Sequence, residues 1–144
     1  MSGSGAASLA RYWQERIPFN RRCGFRVTRW DDDGIRMEVD ETDDLSNGAG
    51  SVHGGVVATL IDTAANAAAI PVADFVPGSQ VVTVSMTVHY TGPARGHLVA
   101  DAVCTRRGRT LTSVSVDVRD GDGALVAHGI VVVKVSVGAG PDPR

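Results

Sequence analysis

The chain has 144 residues, with fourteen Lys and Arg against sixteen Asp and Glu, a net charge of −2 and a pI of about 6.0. That length suits one domain, and 43% hydrophobic with 21% charged residues is enough to build a core. The mild acidity argues against a protein that grips nucleic-acid phosphates, and no uninterrupted apolar run is long enough for a bilayer span.

The N-terminus, MSGSGAASLARYW, lacks the apolar core of a signal peptide, so a cytoplasmic location is expected. Cys23 and Cys104 form no CxxC and have no His at ligand spacing. In a reducing compartment they are expected as two free, buried or half-buried residues. Residues 1–7 are small and polar and are expected to be disordered. Leu9, Tyr12, Trp13, Arg16 and Ile17 have helical spacing, and Pro18 ends the pattern. This predicts a short amphipathic helix over an edge of the fold, within an N-terminal segment at 1–22. A single domain follows at 23–136, then a disordered tail at 137–144.

Residues 23–30 and 34–41 read as strands around Asp31-Asp32-Asp33-Gly34, since Asp-Gly between extended runs signals a hairpin. Ile35, Met37 and Val39 alternate with Arg36, Glu38 and Asp40, as one buried and one wet face require. The three aspartates lack the spaced ligands of a calcium loop and read as a solvated turn, with no metal.

The stretch 47–70, NGAGSVHGGVVATLIDTAANAAAI, combines a scaffold with a candidate site. Residues 54–70 predict a helix closed by Pro71. Val57, Leu60, Ile61, Ala64 and Ala68 fall on its core stripe; Gly55, Thr59, Asp62 and Asn66 fall opposite. That opposite face is small rather than charged, so Asp62 is expected where a ligand or a second subunit packs closely. The first amides of a helix have no internal partner and carry the positive end of its dipole. Glycines there let a molecule approach, and such amides can polarise a carbonyl. The plainer alternative is a Gly-Gly turn and a solvated aspartate.

Beyond a loop at 71–79, residues 80–90 alternate strictly. Val82, Val84, Met86, Val88 and Tyr90 are expected on one side, with Thr83, Ser85, Thr87 and His89 on the other. Turns at 91–96, Arg107-Gly108 and 120–123 separate strands at 97–106, 109–119 and 124–136. Two strands, a helix and four strands without βαβ alternation predict an α+β fold with an antiparallel sheet.

The pattern Asn47-x5-His53-Gly54-Gly55-x6-Asp62-x-Ala64 resembles the signature of hotdog-fold thioesterases of the PaaI-like group. The segment VVTVSMTVHYTGPARGHLVADAVCTRRGRTLTSVSVDVRDGDGALVAHGIVVVKV resembles the rest of that fold, so the likeness runs from about residue 20 to 136. The resemblance implies a curved antiparallel sheet wrapped round one long central helix. It also implies hydrolysis of an acyl- or aryl-CoA, with coenzyme A entering as part of the substrate and no cofactor required.

On that reading Asp62 is general base or nucleophile, and Gly55, or Gly54 beside it, donates an amide to the thioester oxygen. Asn47 orients water or substrate. His53 either caps the loop or contacts the thiol side; Thr83 either lies near the attacking water or simply faces outward. The sequence holds no GxSxG or SxxK serine and no HExxH helix to compete with this. Arg95, Arg106, Arg107 and Arg109 are candidates for the phosphates of coenzyme A, guanidinium being suited to them.

The resemblance further implies a site shared between subunits of a dimer, or of a homotetramer built as a dimer of dimers. A hotdog dehydratase is disfavoured, because no His follows Asp62 within reach on the helix. A non-catalytic acyl-CoA-binding protein is the alternative.

Overall fold

Alternation of apolar and polar residues is realised as six strands: β1 Arg26–Asp31, β2 Gly34–Asp40, β3 Gln80–Tyr90, β4 His97–Arg107, β5 Leu111–Arg119 and β6 Leu125–Ser136. They form one antiparallel sheet in the order β1-β2-β4-β5-β6-β3. The computed structural model describes residues 3–71, 74 and 79–136, with side chains from residue 6 onward. Most of the expected 71–79 loop and the expected tail at 137–144 lie outside the described residues.

The long helix, Gly54–Ala68, crosses the inner face of the sheet. Its core stripe of Val57, Leu60, Ile61 and Ala64 is buried together with Ile35, Met37 and Val39 of β2, Leu98 of β4, Val116 of β5 and Val131 of β6. The contact is close enough to dictate a glycine: a Cβ at Gly129 would stand 2.5 Å from Ile61 Cγ2. This is the hotdog arrangement that the resemblance implied. No helix among the described residues is long and apolar enough to cross a membrane.

The N-terminal segment departs from expectation. Residues 3–7 belong to a helix, α1 Gly3–Arg11, which runs into a π-helical turn at Tyr12–Arg16. Ala6, Ala7 and Ala10 favour helix strongly, and α1 lies against β1. Nor does Pro18 end the helical structure. It opens a second helix, α2 Pro18–Cys23, at the position where proline's missing amide costs nothing, and Gly24 at φ 74° closes it. With these labels the long helix is α3.

Asn20 of α2 donates Nδ2 to the Trp13 carbonyl at 2.8 Å, and Trp13 meets Trp30 of β1 edge to face at 6.1 Å between ring centroids. The exposed edge β1 is thereby covered, as the amphipathic pattern required. Both cysteines are free, Cys23 buried and Cys104 half-buried. In the acidic hairpin Asp31 accepts the Asp33 amide at 2.9 Å, an Asx turn.

The strict alternation expected in β3 fails at one residue. Thr83 pairs with Val133 and Ser85 with Val132, so Val84 is an inserted bulge. Before it, Thr83 shares a face with inward-facing Val133. After it, Met86, Val88 and Tyr90 pair with Val131, Gly129 and Ala127 and take over that face. Thr83 therefore points toward α3 rather than outward.

At the start of β4, His97 lies between two carboxylates, Nδ1 at 2.7 Å from Asp40 and Nε2 at 2.9 Å from Glu38. The hydrogen bond to Asp40 is the largest influence and raises the His97 pKa; burial opposes it, and the charges of Glu38 and Asp40 add to the rise. The stability added is complete below the unfolded value of about 6.5 and is lost as pH rises through the higher folded value. His97→Asn should lower the urea midpoint at pH 6, and its gap from wild type should close by pH 9. A gap independent of pH would refute the assignment.

Candidate active site

Two groups of polar side chains are strung along α3, one at its N-terminus and one two turns further on. The first is set by the loop that enters the helix. Asn47 Oδ1 accepts the Ala49 amide at 2.7 Å, and its Nδ2 donates to Ser51 Oγ at 2.8 Å. Asn47 is thus occupied in shaping the loop. Arg95 Nε donates to the Gly50 carbonyl at 2.9 Å and fastens the same loop from outside.

His53 is the N-cap of α3: its Nδ1 accepts the Gly55 amide at 2.8 Å. An accepting Nδ1 carries a lone pair, so in the neutral ring the proton is on Nε2, on the exposed side chain. The Gly55 amide is consequently spent. The Gly54 amide makes no hydrogen bond among the described residues, while the Gly54 carbonyl accepts from Tyr90 Oη at 2.8 Å. Of the two glycine amides expected at this helix end, that of Gly54 is the one left unbonded among the described residues.

The second group is built on Asp62. Thr83 Oγ1 donates to Asp62 Oδ1 at 2.6 Å, a short charge-assisted bond. Asn66, one turn after Asp62, donates Nδ2 to Thr83 Oγ1 at 2.9 Å and to Asp62 Oδ1 at 3.1 Å. The half-buried carboxylate opens on a cleft of about 300 Å³ between the N-terminal segment, α3 and β3, with Trp13, Ile17 and Val81 on its apolar side.

The predicted residues therefore come together in two sets, Asp62 with Thr83, and Asn47 with His53, Gly54 and Gly55. Eight residues of helix at 1.5 Å each put roughly 12 Å between Gly54 and Asp62. Asn66 was not singled out as a site residue; its only sequence signal is its place four residues after the acid.

The arginines also separate. Arg107 Nη1 donates to the Ala69 carbonyl and satisfies the C-terminal end of α3. Arg106 and Arg109 are exposed beside it, around the β4–β5 turn. Arg95, at the N-terminal loop, does not join them. Among the described residues no group of three His, Cys, Asp or Glu converges as a metal site would need.

Comparison with known proteins gives the family and the fold. A family model described as the thioesterase superfamily matches residues 49–127. A protein of Halobacterium salinarum that carries an esterase name is 37% identical over 98 residues, 66% of this chain and 65% of that protein. The acyl-coenzyme A thioesterase 13 of Homo sapiens is 34% identical over 96 residues, 65% of each chain. The chain thus spans 65% of the length of these curated relatives. Among solved structures, a thioesterase family protein from Silicibacter pomeroyi superposes with a TM-score of 0.81 at 24% identity, over 92% of this chain and 98% of that one, a likeness of fold.

The capping role of His53 can be measured separately from any chemistry. His53→Ala leaves the Gly55 amide without its partner and should cost about 1 kcal/mol in urea unfolding, while His53→Asn, a good N-cap, should recover most of it. Equal stability of the two variants would show that the cap contributes nothing.

Proposed function

This chain belongs to the thioesterase superfamily, and on that premise we propose that it hydrolyses an acyl or aryl thioester of coenzyme A. The observation that carries the proposal is the pairing of a fixed carboxylate, Asp62, with an unspent helix amide, Gly54. The amide at the positive end of the α3 dipole would accept the developing charge on the thioester oxygen. Asp62 would take a proton from water as the water oxygen attacks the carbonyl carbon. The carbon–sulfur bond then breaks, the thiolate leaves and takes up a proton, and the products are a carboxylic acid and free coenzyme A. His53 holds the helix entrance and presents its Nε2 proton to the solvent side, where the leaving sulfur would lie.

At roughly 12 Å apart on one rigid helix, Gly54 and Asp62 cannot serve one carbonyl. The site is complete only if Asp62 of one protomer meets Gly54 of a second, so the active form is a homodimer or a dimer of dimers. β3 is the sheet edge on the Asp62 side and exposes Val82 and Val84 at 57% and 55%, a surface suited to that contact.

The acyl group would pack on Trp13, Ile17 and Val81, and Arg106, Arg109 and Arg95 would supply positive charge to the phosphates of coenzyme A. Arg107 is committed to the helix end. The same reading places the protein in the PaaI-like group, acting in the cytoplasm.

Asp62→Asn should lower kcat by about 10²–10⁴-fold, the usual worth of a positioned general base, with the oligomer unchanged. Gly54→Pro deletes the amide at a helix position that tolerates proline, after a residue already at ψ 133°. It should fold, and lose about 10²–10³-fold in kcat. Neither variant is active alone, yet statistical mixing should restore about a quarter of wild-type turnover, because half the dimers are mixed and each holds one complete site. No recovery on mixing would dismiss the shared site. Tight binding of acyl-CoA without thiol release by the wild type would identify a binding protein instead.

The phosphate assignment has its own measurement. Arg109→Glu should raise KM severalfold and change kcat little, since it removes binding felt equally by ground and transition states. An unchanged KM would discard Arg109.

A further inference from the structure

We propose that Asn66 is a positioning residue of this site, acting through Thr83 to fix which oxygen of Asp62 serves as the base. The inference rests on the thioesterase reading above.

Asn66 is 9% exposed. A buried amide is costly unless its polar atoms are used. Of its two Nδ2 protons, one goes to the Asp62 carbonyl at 2.7 Å and the other is shared between Thr83 Oγ1 at 2.9 Å and Asp62 Oδ1 at 3.1 Å. Two of those partners, a backbone carbonyl and a carboxylate, are acceptors only, so the nitrogen and not the oxygen of the side-chain amide must face them.

The direction of the remaining bonds follows. Thr83 has one hydroxyl proton. Because Asn66 can only donate to Oγ1, that proton is free for Asp62 Oδ1, which receives it at 2.6 Å. The chain of donation runs from Asn66 to Thr83 to Asp62 and has no alternative polarity. Asp62 Oδ1 then holds two donors and Oδ2 holds none of them, so Oδ2 is the oxygen left to take a proton from water. Without Asn66 the Thr83 rotor is released, and the carboxylate loses one of the two bonds that hold its plane. Asn66 itself needs no contact with substrate.

The experiment compares Asn66→Ala, Asn66→Leu, Thr83→Val and the double variant Asn66→Ala/Thr83→Val, with Asp62→Asn as reference. Asn66→Leu keeps the volume should the cavity left by alanine disturb folding. Each Asn66 variant should lower kcat about 10- to 100-fold with KM within about twofold, because the orientation of the base acts on the transition state and not on substrate binding. The double variant should be hardly worse than Thr83→Val alone, since residues acting through one another are not additive. Full kcat in a folded Asn66 variant beside an inactive Asp62→Asn would overturn this inference and leave the thioesterase reading standing. So would losses that multiply, or that appear in KM alone. An Asp62→Asn variant that keeps its activity would remove both.

Discussion

The rise of an α-helix is the constraint on which the proposed chemistry depends. One helix carries an unspent amide at Gly54 and a carboxylate at Asp62, and the backbone keeps them roughly 12 Å apart. No side-chain motion closes that distance. α3 cannot bend toward itself, because Val57, Leu60, Ile61 and Ala64 are buried against the sheet. A carbonyl that needs both groups must take them from two copies of the helix. Oligomerisation in the proposed mechanism is therefore a requirement of geometry.

The sheet serves the same end through its last strand. β3 is an edge, and unpaired edges invite association. Its single bulge at Val84 does two things at once. It turns Thr83 inward to meet Asp62, and it sets Met86, Val88 and Tyr90 on that same face further along. Tyr90 then reaches the Gly54 carbonyl. One strand thus touches both polar groups of α3, and a shift of register in β3 would disturb Asp62 and the Gly54 turn together.

Much of this was legible in the sequence, for physical reasons. Period-two patterns at 34–41 and 80–90, with turn signals between the other extended runs, marked the six strands, and a helix of small and aliphatic residues ending before Pro71 could only be buried. The bulge was not legible: VVTVSMTVHY alternates without a glycine or proline to mark the insertion, so the side on which Thr83 lies is decided by pairing with β6. The choice between Gly54 and Gly55 was hidden for a similar reason, because it turns on a ring nitrogen of His53 folding back onto the helix. Arg107 looked like one of a cluster until the chain brought it to the end of α3. The signals for α2 were present, proline at its first position and glycine after its last, but Pro18 read more readily as a stop.

Asn66 shows what such a site demands of its helix. Three polar side chains, Asp62, Asn66 and Thr83, are withdrawn wholly or partly from water, and each would destabilise the fold if left unsatisfied. The four-residue spacing of Asp62 and Asn66 lets one amide bond both the carboxylate and the carbonyl of the same residue. A longer side chain at 66 would overshoot the carbonyl, and an apolar one would leave the carboxylate with a single donor. The alanines around it, Ala64, Ala65, Ala67 and Ala68, are all buried and let the helix approach its neighbours closely enough for those bonds to form. The small residues of this helix are therefore the packing condition for an acid held by two donors.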